Sequence, residues 1–98
     1  MARRKKGAAK KQVELAVAFS REGWEDYLSW EGDPKVHAKI NRLIEESRRT
    51  PFAGTGKPEP LKHPPLQGYW SRRITGEHRM VYKSVRGQLA IIQLRYHY

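Results

Sequence analysis

Glu59, Lys62, Arg72, Arg73, Arg79 and His97 bring a carboxylate, an imidazole and several cationic groups into the second half of this chain. RNA can be cut by its own 2′-hydroxyl, and that reaction needs a base for the hydroxyl proton, an acid for the departing 5′-oxygen and positive charge beside the phosphorus oxygens. Glutamate can accept the proton, histidine as a residue type titrates near pH ~6.5 and can deliver one, and arginine can grip two phosphate oxygens at once. Each residue also has an ordinary use. Glu59 can pair with Lys57 or Lys62, Arg79 can be a solvated strand residue, and His97 can be a plain chain end; residue type and spacing leave both uses open.

Other chemistries are poorly served. His37, His63, His78 and His97 form no ligand pair at helical spacing with another histidine, a cysteine or a carboxylate, and there is no cysteine, so neither a metal nor a cofactor is expected. No glycine-rich phosphate loop follows a strand, and no Ser/His/Asp set suggests itself. Trp24, Trp30 and Trp70 are expected in a core rather than as platforms for stacked bases.

The 98 residues are enough for one domain with a modest core. A net charge of +10 is large for that length, and a basic surface gains affinity for phosphates by releasing counterions. The charge is unevenly placed. Residues 1–12 carry six basic side chains and no acid, residues 13–47 four basic and eight acidic, and residues 48–98 ten basic and two acidic. The second half is therefore the expected nucleic-acid surface, against the plainer alternative of a solvated basic face that serves only solubility. Absence of cysteine suits a reducing compartment and favours the cytoplasm. With no apolar run near 18 residues, a soluble protein without a membrane span is expected.

To position these groups the chain must supply regular elements. Residues 1–13 form a basic extension with almost no bulky apolar side chain, expected to be disordered, which leaves residues 14–98 as the domain. Leu15, Val17 and Phe19 alternate with alanines, as in a strand. Ser20 suits the cap of a helix carrying Trp24, Tyr27 and Leu28 and ending near Gly32. Asp33-Pro34 starts a second helix with Val36, Ile40, Leu43 and Ile44 as its apolar stripe, and the two should form an antiparallel hairpin. From Pro51 to Gly68 the glycines and prolines predict an irregular stretch, uncommon at this length unless it binds something. Strands are predicted over Tyr69–Ile74, His78–Lys83 and Gln88–Tyr96, with turns near Gly76 and Gly87. The expected class is α+β: an N-terminal strand, a helical hairpin and antiparallel strands in one twisted sheet.

The stretch TPFAGTGKPEPLKHPPLQGYWSRRITGEHRMVY at residues 50–82 closely resembles the YoeB (Txe) toxins of bacterial type II toxin–antitoxin systems. The ending RYHY at 95–98 is similar to their C-terminus, and WEDYLSW at 24–30 and KINRLI at 39–44 extend the likeness over about residues 15–98. Three features depart from the pattern: the basic N-terminal segment, the doubled Pro64-Pro65, and Leu94 before Arg95.

The resemblance implies a RelE-like fold and a ribonuclease that binds in the A site of the ribosomal small subunit, cleaves messenger RNA there and so inhibits translation. It implies a YefM-like antitoxin and homodimer formation. By matching positions, Glu59 would be the general base, Arg79 would stabilise the charged transition state, His97 would be the general acid, and Tyr98 would orient His97 or the phosphate. Lys57, Lys62, Arg72, Arg73 and Arg95 would position RNA. The competing class is a nonenzymatic module that binds RNA or the ribosome through the same basic face, with no need for an aligned acid and base. A continuous strand would put residues 97 and 98 on opposite faces, so the chain is expected to leave strand geometry before its end.

Overall fold

The computed structural model describes residues 14–96; the basic extension at 1–13 and the site residues His97 and Tyr98 lie outside the described residues. Strand β1 (Ala16–Phe19) leads into helix α1 (Arg21–Ser29), a 3-10 turn at Trp30–Gly32 and helix α2 (Pro34–Arg49). Both helices start where the capping chemistry predicts. Ser20 Oγ accepts the Gly23 amide at 3.0 Å, Asp33 Oδ1 accepts the Val36 amide at 3.2 Å, and Pro34 opens α2 where no amide is needed. Ile40, Leu43 and Ile44 of the predicted α2 stripe are buried, and Val36 packs at its edge.

Helix α1 departs from expectation. Trp24 and Leu28 are 47% and 40% exposed, and the helix instead seats its Gly23 against the backbone carbonyl of Ile91, with no room there for a Cβ. That close approach turns the larger residues outward. Trp24 stacks on Tyr27 and meets the edge of Phe19, and the Tyr27 hydroxyl donates to Asn41 Oδ1 at 2.7 Å, tying α1 to α2. Of the three tryptophans Trp30 is in the core, Trp70 is half-buried and Trp24 is at the surface.

After α2 come β2 (Glu59–Pro60), β3 (Trp70–Arg73), β4 (Arg79–Val85) and β5 (Gln88–Gln93), in one sheet of order β1-β5-β4-β3-β2. Two pairings were not legible in the sequence. β1 runs parallel to β5, so the sheet is mixed, and the irregular stretch contributes the short strand β2, antiparallel to β3. Pro60 is compatible with that strand because β2 is the sheet edge, where a missing amide removes no ladder bond. β4 and β5 join through Arg86-Gly87, both at positive φ, as a tight two-residue hairpin demands. Both helices cover one face, where Ile40, Leu43 and Ile44 meet Met80, Tyr82, Leu89, Ile91 and Leu94.

A buried guanidinium holds the loop after α2. Arg72 is fully buried; its Nη2 donates to the carbonyls of Thr50 at 2.5 Å and Ala53 at 2.8 Å, and its Nη1 to Thr55 O at 3.1 Å. Nε donates to the Tyr82 hydroxyl at 3.1 Å, and that hydroxyl donates to Pro51 O at 2.6 Å. Glu46 lies 3.6 Å from Nη1 and accepts the Thr55 amide at 3.0 Å. The expected irregularity of residues 51–56 is thus real in shape, but the carbonyls are organised around one cation, which meets the demand that buried polar groups be paired. Burial pushes the Tyr82 phenol above its ordinary 10.0, so it stays a neutral donor and acceptor. The Thr55 amide holds the Glu46 carboxyl below its ordinary 4.5, against a smaller opposing effect of burial.

Replacing Arg72 with Met should cost about 3–5 kcal/mol, because the carbonyls of Thr50, Ala53 and Thr55 and the Tyr82 hydroxyl lose their buried donor together. Thermal unfolding should show a melting temperature lower by on the order of 10 °C or more; a loss of only a degree or two would refute the role. Since the folded-state pKa of Glu46 is depressed, its contribution is present above the unfolded value and lost as pH falls through the folded one. Glu46→Gln should therefore unfold with a shallower acid dependence below pH ~4.5 than the parent chain, measured by urea titration at successive pH values.

Candidate active site on the open face of the sheet

Strand register sorts the candidate residues between two faces. Glu59 pairs with Ser71, Ser71 with Val81, Val81 with Gln93, and Arg73 with Arg79. Paired residues share a face and neighbours along a strand alternate. Arg72, Met80 and Tyr82 therefore point to the helices, while Glu59, Ser71, Arg73, Arg79, Val81 and Gln93 lie on the opposite, helix-free face. Neighbouring strands are about 4.8 Å apart, so β2 and β4 are separated by roughly 10 Å with β3 between them. Register thus sets Glu59 at one side of a cleft and Arg79 at the other, with the fully buried Ser71 beneath.

The electrostatics of this face call for an anion. Arg73 and Arg79 sit directly opposite each other on β3 and β4, an arrangement of like charges that costs stability. Among the described residues neither forms an ion pair. Nη1 of Arg79 and Oγ of Ser71 are both buried without a hydrogen-bond partner, although buried polar groups are nearly always paired. A phosphate between the two arginines would supply acceptors for the guanidinium groups and relieve their repulsion.

The loop that Arg72 organises delivers Glu59 to this place. Gly56 has a φ of 85°, and a Cβ there would lie 3.0 Å from Arg73 O and 3.2 Å from Arg72 Cβ, so only glycine lets the loop come this close to β3. Its carbonyl accepts the Arg73 amide at 2.8 Å, and three residues later Glu59 enters the sheet beside Ser71. Lys57 and Lys62 flank it, both exposed. Residues Glu59 to Leu66 line a cavity of about 510 Å³ that adjoins the carboxylate. Farther along the same face, Lys83 lies over the Tyr69 ring at 5.1 Å.

The other side of the cleft is bounded by the chain after β5. The last strand, expected to run to Tyr96, stops at Gln93. Leu94 is then fixed at both backbone groups: its amide donates to Asp26 Oδ2 at 2.9 Å, and its carbonyl accepts Trp30 Nε1 at 2.9 Å. Arg95 lies flat on the Trp30 ring at 3.8 Å and donates to Ser29 Oγ at 2.7 Å. Tyr96 accepts the Arg79 amide at 3.2 Å. The last described residues are held by α1, the 3-10 turn and the start of β4, directly beside Arg79.

Of the nine residues assigned to catalysis or RNA, the structure brings Glu59, Arg73 and Arg79 to one cleft, with Lys57 and Lys62 on its border. Arg72 needs correction: buried, with every guanidinium nitrogen engaged, it supports the loop and has no surface to offer RNA. The signal was present, because alternation puts Arg72 on the face of Trp70 and Ile74. Arg95 is likewise committed to Trp30 and Ser29 rather than turned to the cleft. Ser71 and His78 were missed; nothing in their spacing marked them.

Residues 19–98 match the family model described as the YoeB-like toxin of bacterial type II toxin–antitoxin systems. The chain is similar to Toxin YoeB of Streptomyces coelicolor, with 56% identity over 85 residues that span 86% of this chain and all of that protein. Among solved structures, a YoeB/ParE toxin from Agrobacterium tumefaciens superposes with a TM-score of 0.80 at 50% identity, over 86% of this chain and 100% of that one. A YoeB-YefM complex and a YoeB dimer from Staphylococcus aureus both give 0.77 at 41% identity, over 86% and 87% of this chain and 98% and 99% of theirs. The α+β, RelE-like architecture read from the sequence is thus met, and with the family match across most of its length the chain belongs to the YoeB-like toxins of bacterial type II toxin–antitoxin systems.

Proposed function

We propose that this protein is a messenger-RNA endoribonuclease that works without a metal or other cofactor and inhibits translation by acting in the A site of the ribosomal small subunit. The observation that carries the reading is the cleft itself: Arg73 and Arg79 opposed on β3 and β4 with no ion pair among the described residues, a buried nitrogen of Arg79 without a partner among them, and a carboxylate one strand beyond. In the proposed reaction Glu59 takes the proton of a 2′-hydroxyl, and the oxygen attacks the adjacent phosphorus. Arg79, with Arg73, stabilises the charge that develops on the phosphorus oxygens. The bond from phosphorus to the 5′-oxygen breaks as His97 protonates that oxygen, leaving a 2′,3′-cyclic phosphate and a 5′-hydroxyl. Tyr98 orients His97 or the phosphate, and Lys57 and Lys62 guide the RNA strand.

His97 and Tyr98 carry over into this scheme from the resemblance of the RYHY ending; Tyr96, the last described residue, accepts the Arg79 amide at 3.2 Å. Partners follow from the family: a YefM-like antitoxin that neutralises the toxin, and self-association as a homodimer, as in the YoeB-YefM complex and the YoeB dimer from Staphylococcus aureus. No helix of the described residues is long and apolar enough to cross a membrane, in keeping with action in the cytoplasm.

Glu59→Gln should lower single-turnover cleavage of ribosome-bound messenger RNA by about 10²–10⁴-fold while ribosome affinity stays within a few-fold, since shape is kept and proton transfer is lost. Equal loss of binding and cleavage would favour the nonenzymatic binding module instead. Adding a few Gly/Ser residues after Tyr98 should cut the rate strongly and leave thermal stability nearly unchanged, because the core lies upstream of Arg95. An extended chain that cleaves at the parent rate would remove the C-terminus from the site.

A further inference from the structure

His78 is a buried titratable side chain that the proposed reaction does not use, and it touches the C-terminal segment at the most constrained point. Its Nδ1 accepts the Tyr96 amide at 2.7 Å, while the next residue's amide, that of Arg79, donates to the Tyr96 carbonyl at 3.2 Å. Two successive residues at the start of β4 thus grip both backbone groups of Tyr96. Tyr96 has a φ of 60°, a left-handed conformation that a bulky residue adopts only when its surroundings impose it. The imidazole is itself walled in: Trp30 meets it edge-on at 4.9 Å and the Tyr96 ring lies 4.9 Å away, with Trp30 pinned to Leu94 O and capped by Arg95.

A backbone amide can only donate, so Nδ1 must be the acceptor, and the neutral ring carries its proton on Nε2, toward Glu77 Oε1 at 3.8 Å. Protonation at Nδ1 would set two donors against each other and break the bond. The charged or titratable groups around the ring are Glu77, Arg79 next in the chain, Tyr96, Arg95 beyond Trp30, and Asp26 on the Leu94 amide.

We propose that His78 is a positioning residue for the C-terminal site: its neutral Nδ1 latches Tyr96 into the left-handed turn from which the chain continues to His97 and Tyr98, and its protonation opens the latch. This rests on the reading of the protein as a ribonuclease with its acid at the C-terminus. Loss of activity on the acid side then includes unlatching.

Two arms test it. In the full-length protein, ¹⁵N spectroscopy of the His78 ring should find the Nε2–H tautomer, and the Tyr96 amide should lose its protection from hydrogen exchange as that ring titrates. A neutral Nδ1–H tautomer, or Tyr96 protection that ignores the titration, overturns the proposal even if no variant folds. In the second arm, His78→Phe keeps an aromatic ring but has no acceptor, while His78→Asn places an untitratable oxygen near Nδ1. His78→Phe should lower single-turnover cleavage on the order of 10²-fold with ribosome affinity unchanged, and His78→Asn should recover most of the rate with its acid limb moved to lower pH. Parent-level cleavage by His78→Phe, or equal loss in both variants, overturns it. Absence of cleavage in the parent protein would instead defeat the ribonuclease reading and leave the latch to the spectroscopic arm.

Discussion

The interaction on which the site depends is the buried guanidinium of Arg72. A single planar cation satisfies carbonyls of Thr50, Ala53 and Thr55 and the hydroxyl of Tyr82, and it faces the carboxylate of Glu46. These partners belong to the end of α2, the following loop and β4, so the charge joins three parts of the chain that packing alone would not bring to one point. A buried charge of this kind is costly unless every donor is used. That requirement makes the loop's shape specific: it can leave the helix in essentially one way, and that way carries Lys57, Pro58 and Glu59 to the edge of β3.

The two faces of the sheet then divide the work. The helix-covered face holds the continuous apolar core, and its rigidity is passed to the open face through the strands they share. Parity alone separates Arg72 from Arg73, one a structural cation in the interior and the other an exposed cation over the cleft. On the open face the repulsion between Arg73 and Arg79 is compensated by no ion pair among the described residues, the kind of local conflict that stable folds keep only where a ligand resolves it. Residues 94–96 are anchored independently, through Asp26, Trp30 and His78. Glu59 and Tyr96 are therefore held near Arg79 on separate supports.

Much of this was legible in the residues. The caps at Ser20 and Asp33, the α2 stripe and the alternation of the late strands all follow from local chemistry, and the resemblance of residues 50–82 and 95–98 pointed to the family. What was not legible arises between distant segments. The parallel pairing of β1 with β5 is invisible to a pattern that marks a strand but not its neighbour. The seat of Gly23 against Ile91 reverses the expected face of α1, which is why Trp24 is exposed. Pro60 hid β2, since its permitted place on a sheet edge depends on where the edge falls. His78 is one of four histidines without distinguishing spacing, and only the fold brings it to Tyr96.

The central claim is that the cleft between Glu59 and Arg79 cleaves RNA through the substrate's own 2′-hydroxyl. Its most direct test is a ribosome-bound messenger RNA carrying a single 2′-deoxy nucleotide immediately 5′ of the mapped cleavage point, with the product ends analysed chemically. The account requires that the all-ribose message yield a 2′,3′-cyclic phosphate and a 5′-hydroxyl, and that the single deoxy substitution abolish cleavage at that bond. Cleavage of the substituted bond at an undiminished rate, or products ending in a 5′-phosphate, would contradict it.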